Sequence, residues 1–209
     1  MELGCLIKFG TERHCNSLLD HGQVYCQSVQ YFRELEDEML RGDEYEGAQH
    51  MSNHDVRTPE EREQNLPNLF RITKYLAICT GNIYCLYAVT RKMLFGAGHF
   101  ISERVNGFGT HAVLIKDPPL FIDKFSKALE REKLDFQFGL VEYYDSFTYN
   151  GHLSNFLKPI EFEYQSEFRI FINRKASNPF IIELGRISDI AEIRETEDLL
   201  NTEFRLSPD

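Results

Sequence analysis

The chain has 209 residues, of which 42% are hydrophobic and 13% aromatic, and its formal net charge at pH 7 is -10. This length and composition fit one globular domain with a sizeable core and exclude a disordered chain. The negative charge argues against a surface that binds nucleic-acid backbones unspecifically, because that affinity comes from clustered lysine and arginine. A local basic groove is still compatible with it.

Cysteine usage and hydropathy bear on the compartment. The five cysteines form an odd number without a Cys-x-x-Cys pair, so we expect reduced thiols rather than a disulfide framework or a zinc knuckle. The first ten residues, MELGCLIKFG, are too short and too polar for a secretory signal, and no apolar run approaches the roughly 18 residues of a membrane span. We therefore expect a soluble, cytoplasmic protein without a membrane segment.

The N-terminal third begins with a predicted strand, helix and second strand. CLIKFG is the first strand, and TERHCNSLLDHG is a helix with Thr11 as its N-cap and Gly22 as its stop. QVYCQSVQYF alternates like a strand. From Arg33 to about Asn68 the chain is highly charged, which predicts a helix followed by a long exposed insertion around 33–68. Within it, the acidic stretch RGDEYEG (41–47) is predicted to be a solvated turn.

The remaining segments predict one helix and several strands. RITKYLAICTGNIYCLYAVT resembles a hairpin around the turn dipeptide Gly81-Asn82. GTHAVLIKDPP predicts a strand, and LFIDKFSKALEREK a helix with an apolar face. DFQFGLVEYYD, EFEYQSEFRIFI and PFIIELGRISDIAEI predict further strands. The fold class that follows is a single α+β domain over residues 1–209, with a mostly antiparallel mixed sheet and flanking helices.

Gln165 and Glu167 interrupt the aromatic strand EFEYQSEFRIFI (161–172) with an amide and a carboxylate. Residues two apart on a strand point to the same face, so both side chains would emerge together beside the preceding loop. A carboxylate placed there can stabilise the positive charge that develops when a glycosidic bond breaks. The alternative is structural: Glu167 pairs with Arg169, or with a neighbouring strand across a solvated surface. The motif alone leaves both open.

A metal site is the other chemistry that the sequence raises. His50 and His54 stand four apart, with Asp55 adjacent, but no His-Glu-x-x-His core surrounds them. We predict no metal site. A metal-dependent hydrolase using these histidines and the acidic stretch 41–47 is kept as an alternative function.

Two separated stretches resemble the ADP-ribosyltransferase superfamily. LIKFGTERHCNSLLDHGQVYCQSVQYF, and within it SLLDHGQVY (17–25), resembles the strand-helix-strand unit that builds the nicotinamide end of an NAD cleft. YQSEFRIFI (164–172) resembles the Q/E-x-E motif of the catalytic strand. The whole chain also resembles an uncharacterised bacterial family, through the step Tyr31-Phe32-Arg33 and the late strand; that family carries no activity over.

The ADP-ribosyltransferase resemblance implies a split sheet, NAD as a substrate and a set of site residues. Glu167 would be the catalytic glutamate and Gln165 would face the target. Phe9-Gly10 lines up with the superfamily's His/Arg-Gly step, and Ser28 with the first serine of its Ser-Thr-Ser motif. The residues implied to bind NAD are Lys8, Phe9, Gly10, Thr11, Ser28, Tyr31 and Phe32.

The leading prediction is therefore an ADP-ribosyltransferase-like effector or toxin that transfers ADP-ribose from NAD to a protein or nucleic acid. A role in conflict between bacteria and phages, with an antitoxin or immunity partner, belongs to this prediction. The first alternative is a non-enzymatic module of the same fold that binds a nucleotide or a partner.

Overall fold

The computed structural model describes residues 2–35, 42–55, 57–64, 71–75, 79–95 and 98–205. The strands are β1 Leu3–Gly10, β2 Gln23–Ser28, β3 His50–Asp55, β4 Arg71–Tyr75, β5 Asn82–Thr90, β6 His111–Ile115, β7 Phe136–Leu140, β8 Glu142–Tyr144, β9 Gly151–His152, β10 Leu157–Pro159, β11 Glu167–Ile172, β12 Phe180–Glu183 and β13 Ala191–Glu195. The helices are α1 Glu12–His21, α2 Val29–Glu34, α3 Pro59–Glu63, α4 Arg91–Leu94, α5 Pro118–Arg131 and α6 Thr196–Leu200. Two 3-10 helices, Glu103–Phe108 and Ile160–Gln165, complete the set.

The main sheet has eight strands. Six of them follow the order β12-β2-β5-β1-β6-β13, and β11 and then β7 extend from β5. Every pairing within this sheet is antiparallel. Two small sheets, β4-β3-β9 and β10-β8, lie apart from it. The prediction of a single α+β domain with a mostly antiparallel sheet and flanking helices is confirmed.

The sheet divides along one edge of β5. β11 pairs with β5 over residues 82–87, so it occupies most of one edge of that strand. On the other edge, β2 pairs with residues 82–83 and β1 with residues 87–90. Beyond these contacts β1 continues along β6, and β2 along β12. Within the described ranges, the β5 segment 84–86 therefore has no strand partner on the edge that β1 and β2 share.

The core forms on both faces of the sheet. The larger cluster packs α1 and α5 against one face and includes four residues that the helical pattern of α5 predicted to be buried: Phe121, Phe125, Ala128 and Leu129. A second cluster on the other face joins Ile7, Tyr87 and Val89 to Val105 and Leu199. α5, the longest helix, has 14 residues, and no helix in the described ranges has the length and apolarity that a membrane crossing requires.

The predicted limits of α1 are confirmed. Thr11 has extended backbone angles, and its side chain accepts a hydrogen bond from the His14 main-chain N–H. Gly22 ends the helix with φ of 64°, and its own N–H donates to the Leu18 carbonyl at 2.9 Å. A left-handed residue at this place is readily supplied only by glycine.

Two local predictions are wrong, one in the pairing of a strand and the other in the length of a strand. The hairpin around Gly81-Asn82 does not form, because β4 pairs with β3 while β5 enters the main sheet. The supposed turn is instead a close approach of two segments: a Cβ at Gly81 would lie 2.7 Å from the Ile172 carbonyl oxygen. The strand QVYCQSVQYF is also shorter than predicted, since Ser28 caps a new helix, α2.

The predicted strand 161–172 begins only at Glu167. Residues 160–165 form a 3-10 helix, and Ser166 takes a left-handed conformation with φ of 40°. The Ser166 hydroxyl donates to the Ala88 carbonyl at 2.7 Å, which holds this turn against β5. Gln165 and Glu167 therefore do not stand two apart on one strand, and the alternation that was to bring them together is absent.

The segment predicted as an exposed insertion has structure of its own within its described parts. It contains β3 and α3, and its residues 44–47 form a turn. That turn is not the solvated one predicted: Asp43 and Glu46 are both only 4% exposed. These two acidic side chains therefore lie in the protein interior.

Candidate functional site

A cleft of about 880 Å³ opens where the sheet divides. Its walls come from the end of β1, the first turns of α1, β2, α2, the unpaired part of β5, and β11. Ligand sites in proteins are typically clefts of roughly 300–1,000 Å³. The size of this cleft therefore suits a small-molecule ligand.

The cleft collects most of the residues singled out from the sequence. Those that line it are Lys8, Phe9, Gly10, Thr11, Tyr31, Phe32, Gln165 and Glu167. These residues come from the first 32 and from positions 165–167, so the fold brings together two segments far apart in the chain.

Ser28 is the exception among the predicted binding residues. It is buried, it does not line the cleft, and its hydroxyl oxygen accepts from the Tyr31 main-chain N–H as the N-cap of α2. The structure thus gives Ser28 a capping role in place of the predicted ligand contact.

Glu167 lies at the floor of the cleft and is only 3% exposed. Its Oε1 accepts from Arg169 Nε at 2.6 Å, and its Oε2 lies 3.5 Å from Lys158 Nζ. The pairing with Arg169 that the sequence raised as an alternative is therefore present, but it is buried rather than solvated. Its position on the cleft floor keeps it beside any bound ligand.

Arg169 connects Glu167 to a second carboxylate, that of Glu46. Arg169 Nη1 donates to Glu46 Oε1 at 2.7 Å, and Nη2 donates to Glu46 Oε2 at 3.0 Å. Nη1 also donates to the Asn155 carbonyl at 2.7 Å. Two parallel bonds between a guanidinium and a carboxylate fix both groups in orientation as well as in distance.

Lys158 contacts both Gln165 and Glu167, although these two residues do not share one face of a strand. Its ammonium donates to Gln165 Oε1 at 2.8 Å as well as lying near Glu167 Oε2. The same ammonium stands 4.7 Å from the centre of the Phe162 ring, a cation–π distance. Sequence reasoning did not single out Lys158, because nothing in its local pattern distinguishes a lysine that turns inward.

The protonation states follow from this arrangement. Burial raises the pKa of Glu167, but the charges of Arg169 and Lys158 outweigh it, so the pKa is held well below its ordinary value. Burial lowers the pKa of Lys158, yet the neighbouring Glu167 reverses this and raises the pKa overall. The floor of the cleft is therefore an ionised carboxylate flanked by two cations.

The main chain of Glu167 is held as firmly as its side chain. Its N–H donates to the Tyr143 hydroxyl at 2.9 Å, and its carbonyl accepts from the Val141 N–H at 2.8 Å. Burial, with Glu167 adjacent, raises the pKa of Tyr143 far above its ordinary value, so the hydroxyl stays neutral. These contacts leave little freedom to the first residue of β11.

Asp43 and Glu46 are the residues that the sequence reasoning missed. Burial and the nearby Glu46 carboxylate raise the pKa of Asp43 to about 7. The available signal was weak: Arg169 was the one cation within a strand of otherwise apolar alternation, and a buried arginine needs carboxylate partners from elsewhere. Which carboxylates these are depends on tertiary structure.

Lys8 occupies the gap in the sheet. Its ammonium donates to the Cys85 main-chain carbonyl at 2.8 Å and stands 4.4 Å from the centre of the Tyr84 ring. Cys85 belongs to the β5 segment that has no strand partner on this edge, so Lys8 supplies a donor that a strand would otherwise supply. Burial lowers the pKa of Lys8.

The residues considered for a metal do not form a site where their side chains are described. Among those side chains, no three histidine, cysteine, aspartate or glutamate residues lie close enough to hold one ion. His50 instead packs against His152 of β9, with ring centres 5.2 Å apart. The side chains of His54 and Asp55 lie outside the described residues.

Known proteins give no further guidance. Comparisons of the chain with protein-family models, with curated proteins and with solved structures each find no match. The function must therefore be argued from the cleft itself.

Proposed function

We propose that this protein is an ADP-ribosyltransferase-like enzyme that transfers ADP-ribose from NAD to a protein or nucleic acid. The observation that carries the proposal is the ionised Glu167 carboxylate on the floor of a cleft shared with Lys8–Thr11 and with Tyr31 and Phe32. The resemblance of segments 6–32 and 164–172 to the superfamily concerns these same two parts of the chain.

The residues of the cleft suit NAD in two respects. The exposed Arg13 offers positive charge, and Lys8 and His14 offer further hydrogen-bond donors, for a diphosphate beside the N-terminus of α1. Tyr31 and Phe32, whose rings meet at 5.5 Å, offer aromatic surface for a nicotinamide or adenine ring. Against this, no arginine or histidine stands at Phe9-Gly10, so Lys8 would have to serve in its place.

The reaction follows from the charge of Glu167. The bond between ribose C1′ and the nicotinamide nitrogen breaks, and its electron pair leaves with nicotinamide, which becomes neutral. The ribose then carries positive charge, which a preorganised carboxylate stabilises better than water does. A nucleophile of the target forms the new bond to C1′ and loses its proton. Gln165, held by Lys158, would face that target.

A non-enzymatic module is the second candidate, and one observation favours it. Both oxygens of Glu167 already interact with cations, which reduces the negative charge available to a ribose cation. Such a module would bind a nucleotide or a partner in the same cleft without turnover.

NAD labelled in its adenylate moiety tests the proposal. The protein is incubated with the labelled NAD and with cell protein or total RNA as acceptor, and nicotinamide release and label transfer are measured. Glu167→Gln should lower both by at least roughly a hundredfold, the usual effect of removing a group that stabilises the transition-state charge. Glu163→Gln, an exposed glutamate four residues away, is the matched control and should retain the wild-type rate.

The outcomes separate the candidates. Wild-type release no faster than in buffer, with both acceptors present, contradicts the transferase. Saturable NAD binding without release supports the module. A chelator-sensitive activity that survives Glu167→Gln would contradict the transferase and support a metal-dependent hydrolase.

A further inference from the structure

The guanidinium of Arg169 is a junction between the candidate catalytic carboxylate and the acidic turn at 43–47. It is 1% exposed, and each of its three nitrogens donates a hydrogen bond, one of them to two acceptors. Nε serves Glu167, whereas Nη1 and Nη2 serve Glu46. The Arg169 guanidinium is rigid and planar. Its bidentate pair with Glu46 therefore also fixes the direction in which Nε–H points toward Glu167.

The charges around Arg169 balance only when Glu46 is included. A buried arginine paired with Glu167 alone would neutralise it, and Lys158 would then leave the site with a net positive charge. Glu46 supplies the second negative charge, so two carboxylates face two cations. With Glu46 present, Glu167 is therefore not a single carboxylate between two cations.

The turn that carries Glu46 is itself fixed by main-chain hydrogen bonds. Asp43 N–H donates to the Phe32 carbonyl at 3.1 Å, and Glu46 N–H donates to the Asp43 carbonyl at 2.9 Å. Cys79 N–H donates to the Gly47 carbonyl at 2.8 Å. The first of these ties the turn to α2, whose Tyr31 and Phe32 also line the cleft. Support of this kind keeps a catalytic side chain within a small fraction of an ångström of its working position.

We propose that Glu46 is a positioning residue for Glu167: by holding Arg169 in a bidentate pair, it fixes the Glu167 carboxylate on the cleft floor. This inference rests on the proposed function. A network kept for stability alone would gain nothing from lining a cleft, because well-packed apolar residues replace buried ion networks at little or no cost in stability.

The test is the rate of nicotinamide release from NAD by Glu46→Gln. The turnover kcat should fall by roughly ten- to a hundredfold, since small displacements of a catalytic group cost up to about a hundredfold. KM for NAD should change by less than about threefold, because Arg169 already engages both Glu46 oxygens. Glu44→Gln, an exposed residue of the same turn, should behave like the wild type. Circular dichroism establishes that each variant is folded.

A pH profile separates positioning from a structural role. Among the described residues, the titratable and charged groups near Glu167 are Arg169 on β11, Lys158 on β10, Lys8 on β1, Glu46 in the turn, the Cys85 thiol on β5 and Tyr143 on β8. Arg169→Gln removes the largest influence that lowers the Glu167 pKa, so the acidic limb of the rate profile should move to higher pH. Arg169→Lys keeps the charge but loses the fork, so kcat should fall while the acidic limb stays at low pH.

Each outcome decides something. An active wild type with unchanged kcat per folded molecule in Glu46→Gln overturns the inference and leaves the proposed function standing. An unchanged pH profile in a folded Arg169→Gln does the same. A wild type without nicotinamide release overturns the proposed function, and this inference with it. If Arg169→Gln does not fold, Arg169→Lys and Glu46→Gln still decide the question through the division between kcat and KM.

Discussion

Lys8 donates from its ammonium to the main-chain carbonyl of Cys85 at 2.8 Å, at the place where β1 and β2 leave the edge of β5. One side chain therefore both closes the gap in the sheet and lines the cleft. A backbone carbonyl at such a place needs a donor, and only a long side chain can reach it from the neighbouring strand.

Lys8→Met should lower the free energy of unfolding by about 1 kcal/mol, because the Cys85 carbonyl loses its partner while the burial of a charge is relieved. Lys116→Met is the control, since the exposed ammonium of Lys116 pairs only with Glu192 at the surface and should change stability by less than about 0.5 kcal/mol. Urea unfolding followed by circular dichroism measures both. Equal losses in the two variants would mean that the contact in the gap contributes nothing.

Gly22→Ala should be among the more damaging small substitutions. A Cβ there would lie 2.0 Å from the Gly185 carbonyl oxygen, and φ is 64°, so a backbone clash adds to the strain of about 1–2 kcal/mol for a left-handed residue. Gly185→Ala is a matched control, because its φ is 77° but a Cβ would meet nothing within 4 Å. We expect Gly22→Ala to cost at least about 1 kcal/mol more than Gly185→Ala in thermal unfolding. A smaller difference would show that the two segments separate easily.

The adjacent residues Tyr143 and Tyr144 should respond in opposite ways to loss of the hydroxyl. Tyr143→Phe leaves the Glu167 N–H without its acceptor and should cost about 1–3 kcal/mol. The Tyr144 hydroxyl is buried and has no hydrogen-bond partner within the part of the chain that the structure describes, so Tyr144→Phe should be neutral or stabilising. Urea unfolding of the two variants tests this, and a destabilised Tyr144→Phe would contradict it.

Asp43→Asn should change how stability depends on pH. The folded-state pKa of Asp43 is raised to about 7 from its ordinary value of 3.8, so between these values the folded protein holds a proton that the unfolded chain has lost. The ionisation of Asp43 therefore lowers the free energy of unfolding as pH rises from about 4 to about 7, by up to about 1.4 kcal/mol per pH unit. This loss levels off above the folded-state pKa of Asp43. The variant should be more stable relative to the wild type at pH 8 than at pH 5.

Asparagine can still accept from the Tyr45 N–H, which Asp43 Oδ1 does at 2.9 Å, so the turn itself should persist. Glu167 contributes with the opposite sign in both proteins: its lowered pKa stabilises the fold above the unfolded pKa and ceases to do so in acid. Subtracting the two stability curves removes that shared contribution. A difference that does not vary between pH 5 and 8 would contradict the raised pKa.

The sequence by itself determined the elements that depend on interactions between near neighbours in the chain. The cap and stop of α1 follow from Thr11 and Gly22, and the buried face of α5 follows from its helical spacing. At these positions the local preference and the tertiary structure agree. The resemblance of two separated stretches also indicated Glu167, Gln165 and residues 8–11, which the fold assembles in one cleft.

Only the tertiary structure decided which strands pair and which charged side chains meet. Gly81-Asn82 carries a good turn signal, yet β5 pairs with β1, β2 and β11, because long-range strand pairing buries more surface than a local hairpin. An acidic turn that the sequence predicted to be solvated supplies Glu46, because a buried guanidinium on β11 requires carboxylates wherever the chain can bring them. Charge and periodicity fix what each segment prefers alone, whereas the ionic network at Glu167 exists only once residues more than a hundred positions apart are in contact.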